Sequence, residues 1–360
     1  MQVTSGRKIL QITAYPPPRS GWGIRVQFLK QHLESRGHLC VVLNTGPGRA
    51  IPSTEYETVL SVADYVRKVW RYSRAGFVSH IHVNGKSPTG FGLTLVAEGI
   101  NLLCGKRCFL TFHAGVDQKY FPRSRSRMLV PLFWLMFAIP RRIICNSDAV
   151  KEKIAEYGIS ADKIVAIPAF SRQYMQFTPV TLPGALEPFY KQFTVLFSYA
   201  HMQAGFHPDV LVEAFHRVAE RHPTAGLVIC GLMGHREEAL WRDVQQRIAR
   251  YDLAGRICIV DDLDHDQFLT ALTRSSMYVR TPPADGVASS VLEALALRVP
   301  VVGSDNGTRP AGVVTYEATS AEDLAEKIDR VLTGRSDVLA SIPPIDLPDT
   351  IEPEVSVLTA

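Results

Sequence analysis

The sequence predicts an α/β protein of two domains, each a parallel sheet with helices on both faces. Short apolar runs typical of buried strands alternate with helical stretches along most of the 360 residues. Residues 178–192 contain three prolines and a glycine, and the alternation restarts after them. The length also favours two domains over one. Two such Rossmann-like domains would face a central crevice at the carboxyl ends of their strands, where open α/β sheets bind ligands.

Six strand-like runs occur in the first half, each breaking into a glycine, proline or polar loop. Apolar residues at helical spacing follow the first run in residues 23–37, which close on Gly37 as a C-cap. A helix is also predicted over residues 148–158, with Asp148 placed to cap it. The predicted strands are residues 8–13, 38–44, 79–85, 105–115, 141–147 and 163–170.

The second half repeats this alternation. Strands are predicted at residues 193–200, 225–231, 256–262, 276–281 and 300–305, and helices at residues 208–222, 236–250, 264–275, 288–298 and 320–333. The last 25 residues contain four prolines and little periodicity, so a loosely ordered tail is expected. The predicted divisions are an N-terminal domain (1–180), a C-terminal domain (181–335) and a Pro-rich tail (336–360).

The composition, 46% apolar and 21% charged, is typical of a soluble globular protein. No apolar run approaches the ~20 residues of a membrane span. The run after Arg7 and Lys8 is too short for a signal peptide, which favours a cytoplasmic location. The six cysteines show no zinc or CxxC spacing, so we expect free thiols and no metal site.

The net charge of +4 conceals a strong division along the chain. Residues 1–180 carry 24 Lys and Arg against 10 Asp and Glu, whereas residues 181–360 carry 15 against 25. The first half is therefore expected to face an anionic partner. Two solvated surfaces with a chance bias are the alternative.

In the second half, residues 285–293 join a loop to a helix between two acids, Asp285 and Glu293. Gly286 permits a tight bend, and the helix is predicted to begin near Ala288. Free N–H groups of a first helical turn attract anions, so a diphosphate could bind there. The acids could accept hydrogen bonds from sugar hydroxyls. Ordinary helix capping is the alternative.

In the first half, Gly21 and Gly23 follow the first strand and would let the backbone approach a ligand. A plain strand-to-helix turn is the alternative. His113 comes directly after a strand, where it could donate to a sugar hydroxyl or a phosphate oxygen; a structural histidine is equally compatible. His80 and His82 alternate along another strand, so at most one is expected to face the crevice.

Over roughly residues 8–333 the chain resembles the retaining glycosyltransferases of family 4, which have the GT-B fold of two Rossmann-like domains. The most specific part is the paired-acid motif, here Asp285, seven residues, Glu293 and then "ALALRVPVVGSDNG". Residues 20–44 and 144–170 are similar to the beginning and the end of the family's first domain.

The resemblance implies a role for each matching residue. Glu293 would bind the ribose, Asp285 and His113 would contact the transferred sugar, and Gly21 and Gly23 would form the glycine-rich loop. The diphosphate would lie on the backbone of Gly286, Val287, Ala288, Ser289 and Ser290. The resemblance also implies retention of configuration, with no metal or other cofactor.

Two departures from the family pattern affect these roles. Asp285 is one methylene shorter than the usual Glu. The family's Arg and Lys after the first strand of the second domain are not evident, and His201 and His207 occur there instead. A leaving diphosphate needs its charge stabilised, and a histidine with a reference pKa of ~6.5 is only partly charged. His201, Arg280 or Arg309 could supply that charge, while ordinary surface arginines are the alternative.

The expected activity is therefore sugar transfer from a nucleotide-diphosphate sugar to a glycan or lipid-linked acceptor, in polysaccharide or glycolipid biosynthesis. Nucleic acid is not an expected partner. A catalytically silent relative acting as a binding subunit and a sugar-nucleotide epimerase are the alternatives. The missing Arg and Lys favour the silent relative.

Residues 123–142 could also bind a membrane surface. Thirteen uncharged residues, 128–140, lie between three arginines on one side and two on the other. This run is too short to span a bilayer. It would be either a buried core helix or a segment at an anionic membrane surface. The second interpretation predicts a peripheral membrane protein.

Overall fold

The computed structural model describes residues 6–231, 233–284 and 288–360. The chain forms two compact units. The N-terminal unit comprises Met1–Tyr174 together with Leu347–Ala360, and the C-terminal unit is Met175–Asp346. Each unit is built on its own parallel sheet, as the alternation of strands and helices predicted.

The N-terminal unit has a seven-stranded sheet in the order β3-β2-β1-β4-β5-β6-β7. All of its strand pairs are parallel. Six of the strands match predicted runs, and the two-residue β3 is too short to give a sequence signal. The strands are β1 (Lys8–Thr13), β2 (Leu39–Asn44), β3 (Glu57–Thr58), β4 (Val78–Val83), β5 (Phe109–Phe112), β6 (Arg142–Cys145) and β7 (Ile164–Ala166).

Five helices connect these strands: α1 (Gly21–Ser35), α2 (Val62–Arg74), α3 (Pro88–Leu103), α4 (Val130–Ala138) and α5 (Asp148–Ala155). The strand order, with right-handed crossovers, puts α1 on one face of the sheet and α2 to α5 on the other. Ser147, rather than Asp148, caps α5, because its side chain accepts from the Val150 amide. Asp148 lies in the first turn.

The prediction of a loosely ordered tail was wrong. The segment contains α12 (Arg335–Ser341) and α13 (Ile351–Thr359), and α13 packs against α1 in the N-terminal unit. Ile351, Val355 and Leu358 are each buried to 1% exposure. Their spacing is that of one helix face, a signal hidden by the four surrounding prolines.

The C-terminal unit has a six-stranded sheet in the order β10-β9-β8-β11-β12-β13, again parallel throughout. Five strands were predicted, and β13 was not. The strands are β8 (Thr194–Tyr199), β9 (Ala225–Cys230), β10 (Ile257–Val260), β11 (Met277–Arg280), β12 (Val301–Ser304) and β13 (Val313–Tyr316).

The helices of this unit are α6 (Leu186–Gln192), α7 (Pro208–Arg221), α8 (Glu238–Arg250), α9 (His265–Arg274), α10 (Ser289–Ala296) and α11 (Ala321–Thr333), followed by α12. The proline-rich segment 178–192 is thus partly helical, since it includes α6. Alternate strand residues enter two separate apolar cores: Leu196, Met277 and Val302 in one, and Phe197, Tyr278 and Val301 in the other. Both faces of the sheet are therefore covered.

The strand order reverses between β1 and β4 in the first sheet and between β8 and β11 in the second. Loops at the carboxyl ends of these strands are the expected ligand-binding positions in each unit. Among the described helices, none is long and apolar enough to cross a membrane.

Candidate active site

The centre of the paired-acid motif lies outside the described residues. Asp285, Gly286 and Val287 belong to the undescribed part of the chain. From Ala288 onward the chain is described: Ala288 is the N-cap of α10, with extended backbone and no capping side chain. The helix therefore begins as predicted.

Glu293 is the fifth residue of α10 and has no exposed surface. A carboxylate so deeply buried costs several kcal/mol unless it is hydrogen-bonded or paired. Ser290, on the same helix, accepts a hydrogen bond of 2.7 Å from the Tyr278 hydroxyl group at β11. This hydrogen bond connects α10 to β11, one of the two strands between which the strand order reverses.

Arg280 and Arg309 lie at the carboxyl edge of this sheet, and Arg280 is only 8% exposed. Arg280 Nη1 donates to the Tyr199 carbonyl group at 2.8 Å. Arg309 Nε donates to the carbonyl group of Ser304 at 3.0 Å, and its Nη2 to that of Pro282 at 2.9 Å. The two guanidinium groups therefore bind backbone carbonyls at the ends of β8 and β12 and in the loop after β11, and Arg280 is not an ordinary surface residue.

The position expected to hold the family's Arg and Lys is occupied by a short turn with aromatic packing. His201 makes edge-on ring contacts with Tyr199 and Phe206, with centroids 5.1 and 4.7 Å apart. The Thr281 hydroxyl group donates to the Phe206 carbonyl. His207 has a positive φ of 48° at the start of α7. The structure thus brings His201 to the same sheet edge as the two arginines.

In the N-terminal unit, the loop after β1 leads to the start of α1. The Ser20 hydroxyl group caps the helix by accepting from the Gly23 amide at 3.1 Å. A Cβ atom on Gly23 would lie 2.8 Å from Ser20 Oγ and 3.2 Å from Pro16 Cδ. Gly23 is therefore required by packing within the loop itself, whereas Gly21 is exposed.

His113 follows β5 at the same sheet edge. Its Nε2 atom lies 2.9 Å from His82 Nδ1, and Trp22 at the start of α1 contacts its ring edge-on with centroids 4.4 Å apart. Burial, with a smaller contribution from Arg25 and then His80, holds the pKa of His113 well below its usual range. His113 is consequently neutral at pH 7.

His80 and His82 lie on one face of β4, with ring centroids 4.2 Å apart. The expectation that at most one of them would face the predicted site assumed that they point in opposite directions. Residues two apart on a strand share a face, so the two side chains point to the same side of the sheet. They differ in depth: His80 is bonded to Thr111 Oγ1 at 2.7 Å, whereas His82 reaches His113.

Two models of glycosyltransferase families match the chain. The Glycosyltransferase Family 4 model matches residues 19–170, and the model of Glycosyl transferases group 1 matches residues 187–341. The chain is a glycosyltransferase of the family 4 type. An uncharacterized glycosyltransferase of Methanocaldococcus jannaschii is 26% identical over 160 residues, which span 42% of this chain and 37% of that protein.

Solved structures share the fold of this glycosyltransferase. HepE of Anabaena in complex with UDP and glucose is 14% identical, with a TM-score of 0.65 over 98% of this chain and 95% of HepE. A UDP-N-acetylglucosamine 2-epimerase is 12% identical, with a TM-score of 0.64 over 97% of this chain and 95% of the epimerase. These likenesses establish the GT-B architecture.

Three residues that were not singled out from the sequence contact the predicted site histidines or lie beneath them. Gln11 bonds His82, Trp22 contacts His113, and Glu354 from α13 lies 3.9 Å from His80 Nε2. Gln11 could have been noticed as the one uncharged polar residue within the apolar run "ILQI". Glu354 gave no local signal, because its partners are more than 270 residues away in sequence.

Proposed function

We propose that this glycosyltransferase transfers a sugar from a nucleotide-diphosphate sugar, with retention of configuration, to a glycan or lipid-linked acceptor. The observation that carries the proposal is the complete burial of Glu293 on α10, at the carboxyl edge of the sheet where its family binds the donor. HepE, which shares the fold, was crystallised with UDP and glucose.

The proposed donor roles follow the family pattern. Glu293 accepts from the ribose hydroxyls, and the backbone from Gly286 to Ser290 binds the diphosphate. Arg280, Arg309 and His201 contribute positive charge or hydrogen-bond donors near the departing diphosphate. No metal or other cofactor takes part in the proposed reaction.

The proposed acceptor side uses the N-terminal unit. His113 and Asp285 orient the transferred sugar, and the loop of Gly21 and Gly23 lies close to it. The bond from the anomeric carbon to the diphosphate breaks while the acceptor oxygen bonds to the same face of that carbon. The acceptor proton passes to the departing phosphate oxygen. Because the new bond forms on the face from which the diphosphate leaves, the configuration of the anomeric carbon is retained.

Thermal unfolding with a panel of sugar nucleotides tests the donor. One UDP- or other nucleotide-linked sugar is expected to raise the Tm, because a ligand bound only by the folded state stabilises it. The stabilising donor is then incubated with glycan and lipid-linked acceptors, and the anomeric configuration of the product is read by NMR. A product of inverted configuration, or no transfer with a bound donor, would contradict the proposal.

Epimerisation of the donor sugar is the second candidate, favoured by the shared fold with a UDP-N-acetylglucosamine 2-epimerase. Incubating the bound donor without acceptor separates the two. A transferase leaves the sugar stereochemistry unchanged, whereas an epimerase produces a second sugar nucleotide.

We further propose that the acceptor is reached at an anionic membrane surface. Among the residues the structure describes, every exposed large apolar side chain belongs to the N-terminal unit. Exposed apolar residues are common singly, but several on neighbouring helices indicate a binding surface. The apolar face comprises Val62, Val66 and Trp70 of α2, Val96 and Leu103 of α3, and Trp134 and Leu135 of α4.

Residues 123–142 have features of both a buried core helix and a segment at a membrane surface. Phe133, Met136 and Phe137 of α4 are fully buried, as the core interpretation expected. Trp134 and Leu135 on the same helix are 49% and 41% exposed. Tryptophan favours the interface between water and lipid, and the flanking arginines favour anionic headgroups. The proposed membrane contact is therefore wider than this segment and includes α2 and α3.

A further inference from the structure

A row of three polar side chains crosses the middle of the N-terminal sheet. Gln11 lies on β1, His82 on the adjacent β4, and His113 directly after the next strand, β5. His82 Nε2 is 2.9 Å from Gln11 Oε1, and His82 Nδ1 is 2.9 Å from His113 Nε2. Both ring nitrogens of His82 are thus used within the protein.

The geometry between the two histidines is that of an in-plane hydrogen bond. Their ring planes are within 17° of each other and their centroids are 5.2 Å apart. Rings at this separation meet edge to edge rather than face to face, so the N–H of one points at the lone pair of the other. The Trp22 ring lies perpendicular against His113, which restricts its rotation.

The surroundings keep the row uncharged. Burial, followed by the neighbouring His80, His113 and Arg25, holds the pKa of His82 well below its usual range. Arg25 of α1 and Glu354 of α13 form a fully buried pair beneath the row, and His80 lies beside that pair with its pKa lowered to about 3 by burial. The histidines are therefore neutral imidazoles, each with one N–H.

The proton positions follow from the Gln11 Oε1 atom, which faces His82 Nε2 and can only accept. Gln11 Oε1 accepts, so His82 carries its proton on Nε2 and presents a lone pair at Nδ1. His113 must then donate from Nε2. Its Nδ1 atom, which has no protein partner among the described residues, is left with a lone pair.

We propose that Gln11 and His82 are positioning residues that fix His113 as the Nε2–H tautomer, so that its Nδ1 accepts a hydrogen bond from a hydroxyl group of the transferred sugar. The consequence for specificity rests on the proposed function. An acceptor nitrogen favours a sugar with a hydroxyl group at the contacted carbon. It disfavours a deoxy sugar, which offers no donor, and a carboxylate, whose oxygens would face the lone pair.

The tautomer can be measured on the unliganded protein by NMR. The protein is labelled with ¹⁵N-histidine, the His113 ring is assigned by its loss in His113→Asn, and couplings to the ring carbon protons identify the protonated nitrogen. At neutral pH the proton is expected on Nε2 of His113. Gln11→Leu should produce a mixture of tautomers, whereas Gln11→Glu, which keeps an accepting oxygen, should preserve the wild-type tautomer.

Thr111→Val is the matched control, because Thr111 is also a buried sheet residue but bonds His80 instead of the row. It should leave the His113 spectrum unchanged. A proton on Nδ1 of His113 in the wild-type protein, or the same tautomer population in Gln11→Leu, would overturn the proposal. Circular dichroism confirms that each variant is folded.

Kinetics with the active donor give an independent readout. Gln11→Leu should lower kcat/KM by about three- to tenfold, the effect of one neutral hydrogen bond, and Gln11→Glu should restore most of it. Because the NMR measurement needs no donor, failure of the two proposals is distinguishable. An inactive wild-type protein that has the expected tautomer would overturn the proposed function alone. An active protein that has the opposite tautomer would overturn only the proposed positioning role of Gln11 and His82.

Discussion

Glu293 of α10 is buried completely, which is rare for an acidic side chain. Replacing it with Gln keeps the shape but removes the charge. We expect Glu293→Gln to weaken binding of the nucleotide about ten- to hundredfold, since a hydrogen bond to a charged group contributes ~1.5–3 kcal/mol. Titration calorimetry measures the affinity.

Glu326→Gln is the control for this prediction, because Glu326 is exposed on α11 of the same unit. Its affinity for the nucleotide should equal that of the parent protein. If Glu293→Gln binds the nucleotide normally and only its Tm falls, Glu293 is a structural residue.

Glu98 of α3 is a second completely buried carboxyl group, and neither of its oxygens has a hydrogen-bond partner among the described residues. Burial raises its pKa to about 9, against an opposing effect of Lys163. The folded protein therefore keeps a proton that the unfolded chain releases above its ordinary pKa of 4.5. The free energy of unfolding should fall as pH rises between these two values, by about 1.4 kcal/mol per pH unit from this group.

Glu98→Gln removes this proton exchange. Relative to the parent protein, the variant should gain stability from pH 6 to pH 8, as measured by urea unfolding at both values. Glu152→Gln, at an exposed position on α5, should track the parent at each pH. A Glu98→Gln difference that stays constant with pH would show that Glu98 is ionised in the folded protein.

Most elements could be predicted from the sequence, because a parallel sheet buried on both faces produces short apolar strands bounded by turns. The elements that were not predicted are the short β3, the β13 strand with its partly exposed pattern, and the helices α2, α3, α6, α12 and α13. The site histidine and the start of α10 were located from sequence because each follows a strand. Gln11 and His82 were not assigned a role, since their hydrogen bonds connect strands that are 71 residues apart.

The packing of α13 on α1 depends on a charged pair that sequence periodicity cannot reveal. Arg25 Nε lies 2.6 Å from Glu354 Oε2, and both side chains have no exposed surface. Removing one partner leaves an uncompensated buried charge, which costs about 3–5 kcal/mol. Glu354→Leu should therefore lower the free energy of unfolding by that amount in urea titrations.

The double variant Arg25→Met with Glu354→Leu tests the reason for this loss. An apolar pair of similar volume should recover most of the stability, because a buried ion pair contributes little beyond its own desolvation cost. Equal stability of the double variant and Glu354→Leu would mean that packing of the replaced side chains, rather than the stranded charge, causes the loss.

In the molecule as a whole, basic residues and exposed apolar side chains are concentrated in the same part of the chain. The first 180 residues carry the excess of Lys and Arg, and the N-terminal unit carries the exposed large apolar residues of the described chain. A surface with both properties suits an anionic bilayer, where each basic residue nearby adds about 1 kcal/mol. The second half carries an excess of Asp and Glu, and none of its described residues is an exposed large apolar side chain. Binding should therefore orient the N-terminal unit toward the lipid.

The corresponding test is co-sedimentation with vesicles made with and without anionic lipid, at low and high salt. The protein should bind the anionic vesicles at low salt and dissociate as salt screens the charges. The double variant Trp70→Ser with Trp134→Ser should bind more weakly even at low salt, because both side chains belong to the apolar face and are 41% and 49% exposed. Trp241→Ser, on α8 of the C-terminal unit, should bind like the parent. Sedimentation that does not depend on lipid charge, or no sedimentation at either salt concentration, would refute the membrane proposal. If the double variant binds as strongly as the parent protein, charge alone attracts the protein to the vesicles, and the role of the apolar face is refuted.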